Sequence, residues 1–454
     1  MRLTTRLRSL GMRYFGSEKF LLKQRAKARK QNRKLGQPPV IHYFHQVDDA
    51  HSYITVQHIE RLQNFAKVQV KCHLVGPVEP QFQGSVEHFA KWALADAKSI
   101  AEFYGRPLPI PLASSAPRYP NPANTANAAA ILSAHAGHDD FSHHAIAIGE
   151  ALWSGDAVAA DQGNNTKTAL AVCEQRIDAA ARLRRKLGHY LAANFYFEGE
   201  WFHGIDRLPL LCQRLSSEGL ANADAATMNP FDLGHTKALK LRSGAAQDGA
   251  AQEICLEYFP SLRSPYTAVG HSSVIDLVSR FSGTFRLRPV MPMLMRGVPA
   301  PKIKQRYIIM DAARAARANR VEFGGFVDPF GAPVKIGFAL FHQAVLQDKG
   351  LEFVGAYLRG AFAKAIDISS FSGLQQILDH AGVTGNAKEL AQHQRQHQEG
   401  QAVLDDNLQS MLAAGLWGVP SFRISNPNHT EDFCCWGQDR IWRVEHEIAR
   451  RSLS

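Results

Sequence analysis

Short runs of apolar residues, cut by turn-forming segments, order this chain. Residues 40–46 (VIHYFHQ) and 68–75 (VQVKCHLV) predict two strands, the second by strict alternation. Between them, 51–66 places Ile54, Ile59, Leu62 and Phe65 at loosely helical spacing, so the chain opens strand–helix–strand. Helical text follows at 87–104, then a Pro/Asn/Ala-rich loop at 107–130, then more helix at 167–187. Residues 189–204 predict a hairpin turning at Glu198-Gly199, and DRLPLLCQRL a closing helix.

After a Ser/Ala/Gly/Asn-rich linker at 217–250 the order repeats. A strand is predicted at 253–259 and a helix at 264–281, with Tyr266, Val269, Leu277 and Phe281 near one face. A strand at 285–290 precedes a long, mostly helical insertion from about 300 to 414. Residues 419–424 and 432–437 read as a hairpin, and Ile441, Val444 and Ile448 mark the last helix. The repeat shows in letters too: His203-Gly204-Ile205-Asp206-Arg207-Leu208 parallels Trp436-Gly437-Gln438-Asp439-Arg440-Ile441. In each, the aspartate reads as a helix N-cap. The expected fold is α/β, a doubled unit in two domains at 37–216 and 251–454.

Charge separates a third segment. Residues 1–36 carry twelve Lys/Arg and one acid, Glu18, and this surplus of +11 equals that of the whole chain. The remainder holds 40 basic and 40 acidic groups. The basicity therefore belongs to a tail, which argues against a basic nucleic-acid-binding fold. The tail has no apolar signal core. It reads either as a solvated extension or as a contact for an anionic partner. Six cysteines without C-x-x-C argue against dithiol redox chemistry and a disulfide scaffold, and fit a cytoplasmic setting. No run is apolar and long enough to predict a transmembrane helix.

Four segments carry a family resemblance: Ser264-Pro265-Tyr266, Leu287-Arg288-Pro289-Val290, Gly415-Leu416-Trp417-Gly418-Val419-Pro420-Ser421-Phe422 and Trp436-Gly437-Gln438-Asp439-Arg440. With the element order, they make the C-terminal half resemble DsbA-like thioredoxin-fold proteins. The particular branch is that of 2-hydroxychromene-2-carboxylate isomerase and kappa-class glutathione transferase. The resemblance implies two tandem thioredoxin-like domains, each with a helical insertion.

It also implies a site. Ser264 stands where redox members carry their first cysteine, so no redox disulfide forms there. Its hydroxyl would stabilise the thiolate of bound glutathione, as cosubstrate, at a helix N-terminus; the plain alternative is an N-cap serine. Val419-Pro420 would be cis, with the Val419 backbone pairing glutathione. Gln438 and Asp439 would receive its γ-glutamyl end, or serve only as caps. Arg296, Lys302 and Lys304 could grip an anionic substrate. The implied reaction is reversible thiolate addition to a small unsaturated carbonyl acid, making the chain an isomerase or transferase. A non-enzymatic binding or scaffold protein is the alternative. Filling of the site by Met291, Met293, Met295 or Trp417 would weaken the enzyme reading.

In the N-terminal half, Asp49-Ala50-His51 takes the place of Ser-Pro-Tyr and no proline precedes the hairpin. That half is expected to be degenerate. A cluster of His135, His138, Asp139, Asp140, His143 and His144 has possible metal spacing, with His135/Asp139 and Asp140/His144 paired on a helix face. Lacking cysteine or H-E-x-x-H, it reads as a solvated face, and no metal is expected.

Overall fold

The two alternating runs of the N-terminal half form β1 (Val40–His45) and β2 (Gln69–Leu74), paired in parallel. The hairpin gives β3 (Asn194–Phe197) and β4 (Glu200–His203), and the sheet order is β2-β1-β3-β4. Glu198 and Gly199 turn it with φ 37° and 87°, the consecutive left-handed pair that a two-residue hairpin needs. A side chain at Gly199 would also meet the Gln24 carbonyl oxygen at 2.7 Å.

The helix expected over 51–66 is two, Ala50–Val56 and Ile59–Phe65. Ile54 and Ile59 are both buried, yet a continuous helix would set them about 140° apart. The break lets both face the core. The stretch expected as loop to residue 130 is helical over Pro122–Ala134. Its start carries ordinary signals, an Asn121 side chain capping Ala123 N at 2.8 Å and a proline at the first helical position.

The second sheet repeats the first. It comprises β5 (Cys255–Phe259), β6 (Thr284–Leu287), β7 (Ser421–Ser425) and β8 (Phe433–Trp436), in order β6-β5-β7-β8. Val40 pairs Gln69 and Cys255 pairs Thr284, so the parallel ladders share one register. One face of β5 presents Leu256 and Tyr258 to a core with Val274, Leu277, Val444 and Ile448. The insertion runs from helix Lys302–Ala318 to helix Gln394–Ala413 and has its own core around Phe338, Phe353, Tyr357 and Ile377. Each half is thus a mixed sheet with one parallel and two antiparallel pairings, flanked by helices and interrupted by helical insertion. This is the thioredoxin arrangement, twice.

The computed structural model describes residues 3–105, 107–110, 120–156, 158, 167–222, 238–241, 253–392 and 394–453. Of the expected linker at 217–250, only 217–222 and 238–241 fall within these. The chain divides into two compact units, Leu21–Lys237 and Met1–Phe20 with Ala238–Ser454. No helix among the described residues is long and apolar enough to cross a membrane.

The basic segment is not a solvated extension. It forms helices Leu3–Gly16 and Glu18–Lys34, and several of its cations find anions within their own unit. Arg8 bonds Asp328 at 2.8 Å. Arg25 bonds Glu200 at 2.6 Å, and Arg29 bonds Glu198 at 2.8 Å and Glu218 at 2.5 Å. Phe15 and Phe20 pack edge to face, with the Arg306 guanidinium over both rings at 5.1 Å.

The aspartate caps are also corrected. The residue capping helix Gly204–Ser217 is His203, with Asp206 inside the first turn. Asp439 lies within a 3-10 turn, Gln438–Arg440, preceded by Gly437 at φ 121°. Acid in a first turn still suits the helix dipole, so the same letters serve from inside the turn.

Candidate thiol-binding site

Ser264 caps helix Pro265–Ser279 from an extended conformation, φ −96° and ψ 117°. Its Oγ accepts from Thr267 N at 3.1 Å and donates to Val419 O at 3.3 Å. Pro265 follows at the first helical position, where its missing N–H costs nothing. The Val419–Pro420 peptide is cis, and Pro420 O accepts from Gly437 N at 2.9 Å. Gln438 packs on the same helix: a side chain at Gly270 would meet its Cβ at 2.8 Å. The Gln438 amide in turn bonds the Asp439 carboxylate. The structure therefore brings Ser264, Val419, Pro420, Gln438 and Asp439 into one neighbourhood. Ser264 and Val419 are 7% and 8% exposed. Part of the hydrogen bonding expected for a ligand is satisfied internally, because Val419 O already accepts from Ser264.

Arg296 does not project as an expected anion grip. Its Nε donates to Met291 O at 2.9 Å and its Nη2 to Trp417 O at 2.7 Å. Burial brings its pKa down to about 10. It braces the segment leading to Val419 while lining a cleft of about 400 Å³ with Met291, Met295, Lys335, Leu404 and Leu408. Lys302 is exposed at the start of helix Lys302–Ala318, whereas Lys304 is buried and its pKa falls to about 8 by desolvation. Met291 and Met295 pack on the insertion core, and Trp417 is 2% exposed with its ring 5.0 Å from that of Trp436.

Gly418 is where this loop tolerates no side chain. A Cβ there would lie 2.0 Å from the Trp436 ring. Gly418→Ala is expected to destabilise the unit by about 1–3 kcal/mol, the usual range for overpacking. Urea denaturation of the variant checks this, and an unchanged midpoint would mean that Trp436 moves aside freely.

One element of the site was missed from sequence. Tyr266 Oη donates to Asp311 Oδ2 at 2.9 Å, and Asp311 is 3% exposed. The N-terminal half has a counterpart, His51 Nε2 with Asp96 Oδ2 at 2.8 Å, and both pairs span 45 residues of sequence. That shared spacing between a first-helix ring and an insertion aspartate was the available signal. The correspondence extends to the cap. Asp49 stands in the place of Ser264 and accepts from Ser52 N at 2.8 Å and Ser52 Oγ at 2.7 Å. Ala193 stands for Pro420, its carbonyl accepting from Gly204 N at 2.7 Å. A carboxylate at the cap repels a thiolate, which fits the expectation of a half without thiol chemistry.

Sheet order, insertion and a capping residue beside the strand-leading proline define a thioredoxin-fold protein. Ser264 stands at the cap in the C-terminal unit, and none of the six cysteines is in a disulfide. No protein-family model matches the sequence, and no curated protein matches it. Among solved structures, 2-hydroxychromene-2-carboxylate isomerase is similar with TM-score 0.34 and 14% identity, over 43% of this chain and 95% of that one. Cytosolic disulfide reductase DsbM from Pseudomonas aeruginosa is similar with TM-score 0.34 and 16% identity, over 44% and 100%. Its structure with GSH gives TM-score 0.32 and 15% identity, over 43% and 99%.

Proposed function

We propose that the C-terminal unit binds glutathione at Ser264 and uses its thiolate as a borrowed nucleophile. The reaction class is isomerisation or transfer on a small unsaturated carbonyl acid. The observation that carries this reading is the Ser264 hydroxyl, set between Thr267 N and Val419 O at the positive end of a fifteen-residue helix. A sulfur anion arriving there would meet the helix dipole and could take the hydroxyl hydrogen from Val419 O. The thiolate would add to the β-carbon of the substrate, forming C–S while the C=C pair moves into an enolate. Rotation about the new single bond and expulsion of the thiolate restore the double bond. The cleft with Met291, Met295, Leu404 and Leu408 offers apolar walls to an aromatic ring, and Lys335 a cation for its carboxylate, beside Asp405. A dithiol oxidoreductase is disfavoured, because Ser264 cannot form the disulfide.

Calorimetric titration of reduced glutathione tests this. Wild type is expected to bind, and Ser264→Ala to bind roughly tenfold or more weakly, the worth of a hydrogen bond to a charged group. Absence of binding by both proteins would overturn the proposal. It would favour a second reading, a non-enzymatic binding or scaffold module. That reading is supported by the burial of Ser264 and by its hydroxyl hydrogen already being given to Val419 O.

A further inference from the structure

The histidine-rich turn of the N-terminal half folds differently from the helical face expected for it. His135 ends helix Pro122–Ala134, and Asp140 precedes helix Phe141–Ser154. The pairing is therefore not His135 with Asp139. His135 Nδ1 lies 3.0 Å from Asp140 Oδ2, and His144 Nε2 lies 3.3 Å from the same oxygen. The two imidazoles stack with centroids 3.5 Å apart. One nitrogen from each ring and one carboxylate oxygen all fall within 4.8 Å of one another.

We propose that His135, Asp140 and His144 form a binding site for a divalent transition-metal ion of the zinc class. Ligand atoms about 2.0–2.1 Å from a tetrahedral ion stand roughly 3.3 Å apart, close to the 3.0 and 3.3 Å from Asp140 Oδ2 to the two ring nitrogens. Two imidazoles and a carboxylate suit zinc, copper or nickel and not the hard cations, which take oxygen ligands. The turn is pinned from beneath: Gly137 N donates to Cys72 O at 2.9 Å, and Phe141 is fully buried. The ligands keep 27%, 51% and 37% side-chain exposure, so an ion can enter from solvent. The fourth position is left to water, or to His138 or His143 nearby in the sequence.

The alternative is a carboxylate accepting hydrogen bonds from both rings, with no affinity for metal. Titration of Zn2+ and Co2+ into the full chain separates the two. One equivalent of Co2+ is expected to develop visible d–d absorption, displaced by Zn2+. The signal should weaken roughly tenfold to a hundredfold in affinity in Asp140→Asn and in His144→Ala. Circular dichroism checks that both variants stay folded, which their exposure favours. Equal binding by wild type and a His135→Ala/His144→Ala variant would place the metal at other histidines and overturn the proposal. No binding by wild type at millimolar ion would overturn it as well.

Discussion

Acidification from about pH 7 to about pH 4.5 is expected to unfold the Leu21–Lys237 unit. Five of its histidines are held neutral. Burial lowers His45 and His58 to about 4, His42 to about 4 with help from Lys71, and His203 to about 4 with help from His51. His73 falls to about 3, by burial and then by His42, whose Nδ1 lies 2.9 Å from His73 Nε2. The folded pKa values lie below the unfolded value near 6.5. The unfolded chain therefore binds more protons between about pH 6.5 and 4. Stability is fully present above 6.5 and drains away as pH falls through that window. Each such group tilts the unfolding free energy by about 1.4 kcal/mol per pH unit, against a typical total of about 5–15 kcal/mol. A few acting together suffice. Hydrogen exchange read by mass spectrometry at pH 7, 6 and 5 would follow the unit directly. His45→Gln and His58→Asn should each flatten the slope, and stability constant from pH 7 to 5 would refute the argument. In the other unit, His271 is the histidine lowered among the described residues, to about 4 by burial, and that unit should respond less.

The strands and both hairpins were legible because alternation and turn chemistry are local. Glu198-Gly199 could be placed from two letters. The helix ends were less legible: Asp206 and Asp439 look like caps, but the backbone turns three and two residues earlier, at His203 and Gly437. In the site, Ser264, Val419, Pro420, Gln438 and Asp439 were found as motif fragments and do meet. Arg296 was misjudged, because a cation's letter does not say whether carbonyls will claim it. Its two partners, Met291 O and Trp417 O, are fixed only by tertiary packing. The tail was misjudged for the same reason, since its anions are distant in sequence. Ser9 accepts from Asp328 N across 319 positions.

That distant contact carries the largest expected mutational effect, loss of Asp328. Its carboxylate is 1% exposed and receives Arg8 Nε at 2.8 Å and Arg263 Nε at 2.7 Å. Both guanidiniums also lie over the Phe330 ring, at 5.0 and 4.9 Å. Asp328→Ala leaves two cations without their counter-charge, one of them largely buried. Breaking a buried pair in this way costs about 3–5 kcal/mol. Arg8→Ala should cost only about 1 kcal/mol, since Arg8 is 40% exposed and Arg263 still answers the carboxylate. A melt of both variants ranks them, and limited trypsin digestion should cut at Arg8 and Arg13 faster in Asp328→Ala. A melting free energy within about 0.5 kcal/mol of wild type, with unchanged digestion, would show that the ion cluster is ornamental. The consequence reaches the site, because Arg263 is the neighbour of Ser264. Asp328 clamps that loop from one side as Val419 O holds the serine from the other. A helix from the basic N-terminal segment therefore helps fix the residue on which the thiol proposal rests. Asp328→Ala should weaken glutathione binding even at temperatures where the unit stays folded.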